Sequence, residues 1–81
     1  MKVTIYSKSG CPYCMMAKTW FDNNHIKYQE IVLDDINARK AFYEKFNGTI
    51  STVPQIFLNE ELIGGYTDLK AKESYVKSKF L

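Results

Sequence analysis

The sequence predicts a single α/β domain, spanning residues 1–81, in which strands and helices follow one another in the order βαβαββα. Two observations indicate the first half: a strand pattern is followed by a helical pattern of apolar residues, and the same pair then occurs again. A third observation indicates the second half, where two short strand patterns separated by two residues precede a last helical pattern. The βαβ unit implies parallel strands with a right-handed crossover, and the hairpin adds antiparallel strands. We therefore expect a mixed sheet flanked by three helices.

The first three elements form the predicted βαβ unit. Residues 2–6 alternate in character and predict a strand. The first helix is expected from Pro12 to about Asn23, because the N–H that proline lacks would have no partner in the first turn. Its inward face carries Cys14, Ala17 and Phe21. The second strand, residues 27–35, ends in the apolar run IVL, which is typical of a strand that is buried on both faces.

The remaining elements are a helix, a hairpin and a last helix. Asp35 is the expected N-cap of the second helix, whose apolar residues at helical spacing are Ala38, Ala41, Phe42 and Phe46. Residues 54–58 and 61–64 predict two strands joined by a short turn. Thr67 is the expected N-cap of the last helix, which turns Leu69, Val76 and Phe80 inward.

The composition is that of an ordinary globular protein: 46% of the residues are hydrophobic, 25% are charged, and the net charge is +2. This charge is too small to indicate nucleic acid or a membrane as a partner. No apolar stretch has the length of a signal peptide or a membrane span, so neither is expected. The expected compartment is the cytoplasm, where a cysteine pair more often indicates metal or redox chemistry than a structural disulfide.

Cys11 and Cys14, in the segment SGCPYC, allow three interpretations. A structural disulfide would close a loop of only about four residues and would stabilise the fold little. A zinc site needs four Cys or His ligands, but His25 is the only further candidate, and a helix separates it from the thiols. A metal held between two chains, or with an external thiol, stays open.

The redox interpretation fits the local chemistry best. Cys11 is expected at the N-terminus of the first helix, where free N–H groups and the helix dipole stabilise a thiolate. Lys8 adds a second positive influence. Cys14, one turn further along, is expected to face the interior. Cys11 would therefore attack a disulfide, and Cys14 would resolve the mixed disulfide that results.

The stretch STVPQIF, residues 51–57, places a proline where a strand begins. Pro54 either only initiates the strand or follows a cis peptide bond that faces the cysteines. In the second case the Val53 N–H and C=O remain free to pair with the backbone of a substrate.

The stretch IGGYTDL, residues 63–69, has two interpretations as well. It is either a permissive turn between hairpin and helix, or an anion site made by the backbone N–H groups of Tyr66, Thr67 and Asp68. In the second case the carboxylate of Asp68 would meet a substrate ammonium. An acid beside an anion site matches the head group of an amino acid, which carries both charges.

The motifs CPYC, TVPQIF and IGGYTDL, in this order and over nearly the whole chain, resemble those of glutaredoxins. The resemblance implies a thioredoxin-like fold with a four-stranded sheet of order 2-1-3-4, the first and third helices on one face and the second on the other. It implies Cys11 as nucleophile and Cys14 as resolving thiol. It also implies a glutathione groove formed by Lys8, Tyr13, Lys40, Thr52, Val53, Pro54, Gly65, Tyr66, Thr67 and Asp68.

The same resemblance implies an enzyme that uses glutathione to reduce protein disulfides and glutathione mixed disulfides. Glutathione is then a co-substrate, no metal or tightly bound cofactor is needed, and the expected state is a monomer. Ribonucleotide reductase is a common client of such proteins. Two alternatives are a redoxin that depends on thioredoxin reductase and a carrier of an iron–sulfur cluster between two subunits; Tyr13 argues against the first and Pro12 against the second.

Overall fold

The structure is a computed structural model that describes residues 1–81. It contains four strands and four helices in chain order: β1 (Val3–Ser7), α1 (Pro12–Asn23), β2 (Gln29–Val32), α2 (Ile36–Glu44), β3 (Gln55–Leu58), β4 (Glu61–Gly64), α3 (Tyr66–Ala71) and α4 (Glu73–Ser78). None of the helices is both long and apolar enough to cross a membrane.

The four strands form one mixed sheet in the order β2-β1-β3-β4. β1 runs parallel to β2 through the α1 crossover and antiparallel to β3, and β4 extends the sheet as the second strand of a hairpin. The thioredoxin-like fold and its strand order are thus confirmed. Because β1 is central, the loop that follows it and carries the cysteines leaves the middle of the sheet.

Alternation along β1 places a separate hydrophobic cluster on each face of the sheet. Val3 and Ile5 face the larger cluster, where α1 packs with α3 and α4 through the buried side chains of Phe21, Leu69 and Val76. The smaller cluster covers the other face, where α2 packs onto the sheet; its buried members are Leu33, Phe42 and Ile50, with Tyr6 and Phe57 beside them. The predicted placement of the helices is therefore observed.

The prediction that the second strand is buried on both faces was wrong. β2 spans only residues 29–32 and lies at an edge of the sheet, with the side chain of Val32 half-exposed. Leu33, which follows the strand, is the buried residue of the run. The apolar run at the end of this edge strand is therefore buried on one face of the sheet only.

The last helix differs from the prediction in two ways. Its N-cap is Gly65 rather than Thr67, and the chain is interrupted at Lys72, which separates α3 from α4. Neither Gly nor Pro marks this break. Contacts with other elements hold the chain at the break and directly after it. Lys72 Nζ donates to the carbonyl oxygen of Ile63, and the Glu73 carboxylate accepts from Trp20 Nε1. The fold thus has four helices rather than three.

Candidate active site

Cys11 occupies the N-cap of α1, and Pro12 is the first helical residue. The Cys11 backbone is extended, so that its Sγ atom turns back toward the helix and accepts a hydrogen bond from the Cys14 N–H at 3.2 Å. Free N–H groups and the positive end of the helix dipole therefore meet at this sulfur. This position stabilises negative charge on Cys11 when the thiol is reduced.

Cys11 and Cys14 form a disulfide, with their Cα atoms 5.2 Å apart. Both residues are buried, but unequally: Cys11 is 7% exposed and Cys14 is 1% exposed. Cys11 is therefore the more accessible of the two, which is the asymmetry that a division between attacking and resolving thiols requires.

The remaining candidate metal ligand lies away from the thiols. His25 follows the last turn of α1, and Cys11 precedes its first turn. Twelve residues of helix separate them, a length of roughly 18 Å. No group of three or more His, Cys, Asp or Glu side chains is arranged to hold a metal ion.

The segment before β3 brings an unpaired stretch of backbone to Cys11. The peptide bond between Val53 and Pro54 is cis, which is the second of the two alternatives for this proline. The Val53 carbonyl oxygen lies 3.7 Å from Cys11 Sγ, and the Val53 N–H donates no hydrogen bond within the protein. One edge of this residue is thus available to an extended peptide beside the sulfur.

The N-terminus of α3 approaches the same place. The Gly65 N–H donates to Asp68 Oδ2 at 2.9 Å, so this carboxylate caps its own helix with one oxygen. Gly64 has a positive φ of 116°, and a Cβ atom there would overlap the Asp68 carboxyl group. The glycine therefore keeps the carboxylate close to the backbone at the start of the helix.

These segments enclose a cavity of about 320 Å³. Its lining residues are Tyr13, Thr52, Val53, Pro54, Gln55, Gly65, Tyr66, Thr67 and Asp68. All of them except Gln55 are among the residues named from the sequence. The structure thus brings the TVP and GGYTD stretches together on one groove beside Cys11.

Tyr13 and Tyr66 both line this groove and form a tilted aromatic pair, with ring centroids 6.2 Å apart. Tyr13 is more than half exposed, whereas Tyr66 packs partly against the larger core cluster. Lys8 and Lys40, also named from the sequence, are exposed and do not line the cavity.

Gln55 is the lining residue that the sequence interpretation missed. Its side-chain Nε2 donates to the Thr52 carbonyl oxygen at 3.1 Å, and the residue is buried. This bond closes the turn that carries Val53 and Pro54. The available signal was a single polar residue in the otherwise apolar run PQIFL.

Comparison with known proteins identifies similar sequences and structures. A family model described as Glutaredoxin matches residues 3–63. Glutaredoxin 3 of Escherichia coli K12 is 39% identical over 72 residues, which are 89% of this chain and 86% of that protein.

Two solved structures show the same likeness. The crystal structure of glutaredoxin 1 from Francisella tularensis, complexed with cacodylate, has a TM-score of 0.86 at 47% identity and covers 93% of this chain and 94% of its own. A buckwheat glutaredoxin–glutathione complex has a TM-score of 0.77 at 29% identity, with 93% of this chain and 70% of that one covered.

Proposed function

The chain belongs to the glutaredoxin family and is a glutathione-dependent thiol–disulfide oxidoreductase, and within this activity we propose that Cys11 is the attacking thiol and Cys14 the resolving thiol. One observation carries the proposal. Cys11 Sγ lies at the N-terminus of α1 and also 3.7 Å from the carbonyl oxygen of Val53, a residue whose N–H is free. A substrate disulfide can therefore be held by backbone pairing where the thiolate is stabilised.

With a glutathionylated protein, the Cys11 thiolate attacks the glutathione sulfur. The Cys11–glutathione disulfide forms as the protein–glutathione disulfide breaks, and the protein sulfur leaves as a thiolate that takes a proton from water. A second glutathione then attacks, as thiolate, the glutathione sulfur of the mixed disulfide. Glutathione disulfide forms, the Cys11 thiolate is released, and the protein thiol has been reduced by electrons from glutathione.

With a protein disulfide, both cysteines take part. Cys11 attacks one sulfur of the protein disulfide, and the other protein sulfur leaves as a thiolate. Cys14 then attacks Cys11, which releases the second protein thiolate and forms the Cys11–Cys14 disulfide. The short separation of the two Cα atoms, 5.2 Å, suits this step. Two glutathione molecules reduce the disulfide and leave as glutathione disulfide.

We propose that glutathione lies in the groove with its cysteine residue paired to the Val53 backbone. Its γ-glutamyl carboxylate is received by the N–H groups at the start of α3, around Thr67 and Asp68. The second carboxylate oxygen of Asp68, which does not cap the helix, then faces the glutathione ammonium. The buckwheat relative solved with glutathione supports this choice of ligand.

The glycine end of glutathione is assigned to the other side of the groove, toward Tyr13, Lys8 and Lys40. Tyr13 lines the cavity. Both lysines are exposed, so that their long side chains are free to swing toward a carboxylate. This arrangement places lysine charges near the glycine carboxylate and backbone N–H groups near the γ-glutamyl carboxylate.

We also propose the setting in which this chemistry takes place. All 81 residues form one glutaredoxin domain that acts as a monomer in the cytoplasm. Electrons come from glutathione as co-substrate, so the reaction needs no tightly bound cofactor and no metal. The clients are proteins that carry disulfides or bound glutathione, ribonucleotide reductase among them.

The choice of reductant tests this proposal. Turnover of a glutathionylated peptide is measured with glutathione and glutathione reductase, and separately with thioredoxin reductase as the only source of electrons. We expect turnover in the first assay and none in the second. Turnover with thioredoxin reductase alone would instead make the protein a thioredoxin-like electron donor.

A further inference from the structure

The loop between β1 and α1 is fastened to the rest of the protein through one carboxylate. The backbone N–H of Ser9 donates to Oδ1 of Asp34 at 2.7 Å, and the Ser9 hydroxyl donates to Oδ2 of the same side chain. The two residues are 25 positions apart in the chain. These are the two hydrogen bonds that tie the loop to a distant part of the chain, so Asp34 is its anchor.

Asp34 is itself held firmly. It follows β2, where the Leu33 N–H donates to the Ser7 carbonyl oxygen at 2.7 Å and continues the parallel pairing beyond the strand. Arg39 Nη1 donates to the Leu33 carbonyl oxygen at 2.9 Å. The carboxylate therefore projects from a corner that is tied both to the sheet and to α2.

The charge of Asp34 strengthens the contact with Ser9. Hydrogen bonds from the Ser9 hydroxyl and then from its backbone N–H lower the pKa of the Asp34 carboxyl below its ordinary value, and the nearby charge of Arg39 acts in the same direction. The group is thus ionised at neutral pH, and both oxygens are acceptors. Hydrogen bonds to an ionised group are stronger than those between neutral groups.

The position of Cys11 depends on this loop. Ser9 precedes Cys11 by two residues, and Gly10 between them takes a positive φ of 70°, a turn that redirects the chain into α1. Cys11 must enter the N-cap in an extended conformation if its sulfur is to meet the Cys14 N–H. A loop released at Ser9 would let the sulfur move away from that N–H.

We propose that Asp34 is a positioning residue of the thiol chemistry, which holds Ser9 and thereby keeps Cys11 Sγ at the N-terminus of α1. The proposal deepens the proposed function, because it assumes that Cys11 is the attacking thiol. Misplacing a reacting group, or losing a residue that orients it, reduces rates by about 10- to 100-fold. We expect Asp34→Ala to fall at the lower end of this range, since the loop is only loosened.

The test measures Cys11 directly and needs no glutathione. In protein that carries Cys14→Ser, the reduced Cys11 is the only thiol, and its thiolate displaces iodide from iodoacetamide. The second-order rate constant is measured against pH for three variants: Asp34→Ala, Asp34→Asn and Ser9→Ala. Asp35→Ala is the matched control, because Asp35 is the neighbouring carboxylate and caps α2 through the Ala38 N–H instead.

We expect Asp34→Ala to lower the rate constant at neutral pH about 10-fold and to move the midpoint of the pH profile upward, because the thiolate loses its N–H partner. Loss of a negative charge alone would move the midpoint downward. Asp35→Ala removes the same charge and is expected to stay within about twofold of the parent protein, since salt screens exposed charges.

The single-bond variants keep the test decisive if Asp34→Ala does not fold. Ser9→Ala removes the hydroxyl bond and leaves the backbone bond to Asp34, so we expect a smaller loss of about threefold. Adding Ser9→Ala to Asp34→Asn should cost less than the two separate losses predict, because both act on one contact. Rates for Asp34→Ala and Ser9→Ala within twofold of the parent would overturn the proposal, as would an equal loss in Asp35→Ala.

Failure of this proposal is distinct from failure of the proposed function. If the wild-type protein shows no glutathione-coupled turnover but the alkylation results hold, Asp34 still positions Cys11 and only the reductant is wrong. If turnover is normal but alkylation is insensitive to Asp34, the function stands without this anchor.

Discussion

The Sγ atom of Cys11 lies 3.7 Å from the carbonyl oxygen of Val53, although the two residues are 42 positions apart in the chain. The sheet makes this contact, because β1 leads into the cysteine loop and its neighbour β3 begins directly after the TVP segment. A reactive sulfur and a free edge of backbone are thereby held side by side. In the proposed function, binding of an extended thiol peptide and attack on its sulfur therefore take place at one site.

Removing the charge of Asp68 tests how glutathione is bound. Asp68→Asn retains an oxygen that can accept from the Gly65 N–H but loses the charge assigned to the glutathione ammonium. We expect the KM for glutathione to rise about 10-fold with kcat nearly unchanged, because the contact is the same in ground and transition states. Steady-state kinetics measure both constants. Asp22→Asn, an exposed carboxylate on α1 outside the groove, is the control and should behave as wild type. An Asp68→Asn enzyme with unchanged KM would mean that this carboxylate only caps α3.

Two glycines with positive φ allow a matched test of the groove. Gly48→Ala should destabilise the fold by about 1–2 kcal/mol, because alanine disfavours a positive φ, and Gly64→Ala should destabilise it by at least as much. Only at Gly64 would the new methyl group also overlap the Asp68 carboxyl group; the space at Gly48 is open. We therefore expect a raised KM for glutathione in Gly64→Ala alone. Chemical denaturation and steady-state kinetics separate the two effects, and equal KM values in the two variants would contradict the proposed role of Asp68.

Acid should loosen the packing of α4 on α1 through Glu73. Trp20 Nε1 donates to Glu73 Oε1 at 2.6 Å, and Lys70 Nζ donates to the same oxygen. Both hydrogen bonds lower the pKa of Glu73, and the bond from Trp20 has the larger effect. A carboxyl with a lowered folded-state pKa stabilises the fold fully above the unfolded-state value of about 4.3, and this stabilisation is lost as pH falls through the folded-state pKa.

The only tryptophan in the chain reports this transition. We expect the fluorescence of Trp20 to change only at a pH below the ordinary pKa of a glutamate, because the lowered pKa of Glu73 delays its protonation in the folded protein. Glu73→Gln keeps an oxygen that can accept the indole N–H but cannot titrate in this range, so its fluorescence should vary less with pH. An identical acid transition in wild type and Glu73→Gln would assign the change to other groups.

Local chemistry made much of the site predictable from the sequence. Pro12 directly after Cys11 favours the start of a helix, which placed the sulfur at the N-cap. The short turn predicted that the last two strands form a hairpin, whereas the sheet order 2-1-3-4 came from the family resemblance. The prediction that the TVP and GGYTD stretches line one groove came from the family resemblance. Their proximity depends on how all the strands pair, which neither stretch reveals alone.

Tertiary contacts account for what the sequence did not predict. The break at Lys72 has no Gly or Pro to announce it and coincides with contacts to β4 and α1. β2 lies at the edge because of the way the strands pair. The exposure of Val32 therefore could not be predicted from the sequence of residues 29–32 alone. The N-cap of α3, in contrast, could have been predicted from the sequence. Asp68 lies three residues after Gly65, which is the spacing of a capping box and favours Gly65 over Thr67.

The roles of the two thiols are tested most directly by glutathione-coupled turnover of a glutathionylated peptide with wild type, Cys11→Ser and Cys14→Ser. If Cys11 alone attacks, Cys14→Ser retains most of the activity, because a second glutathione can release the mixed disulfide. Cys11→Ser is then expected to lose activity by at least about 1,000-fold, because the nucleophile has been removed. Mass spectrometry of Cys14→Ser treated with glutathione disulfide should show one glutathione on Cys11. Activity retained by Cys11→Ser and lost in Cys14→Ser would contradict the account.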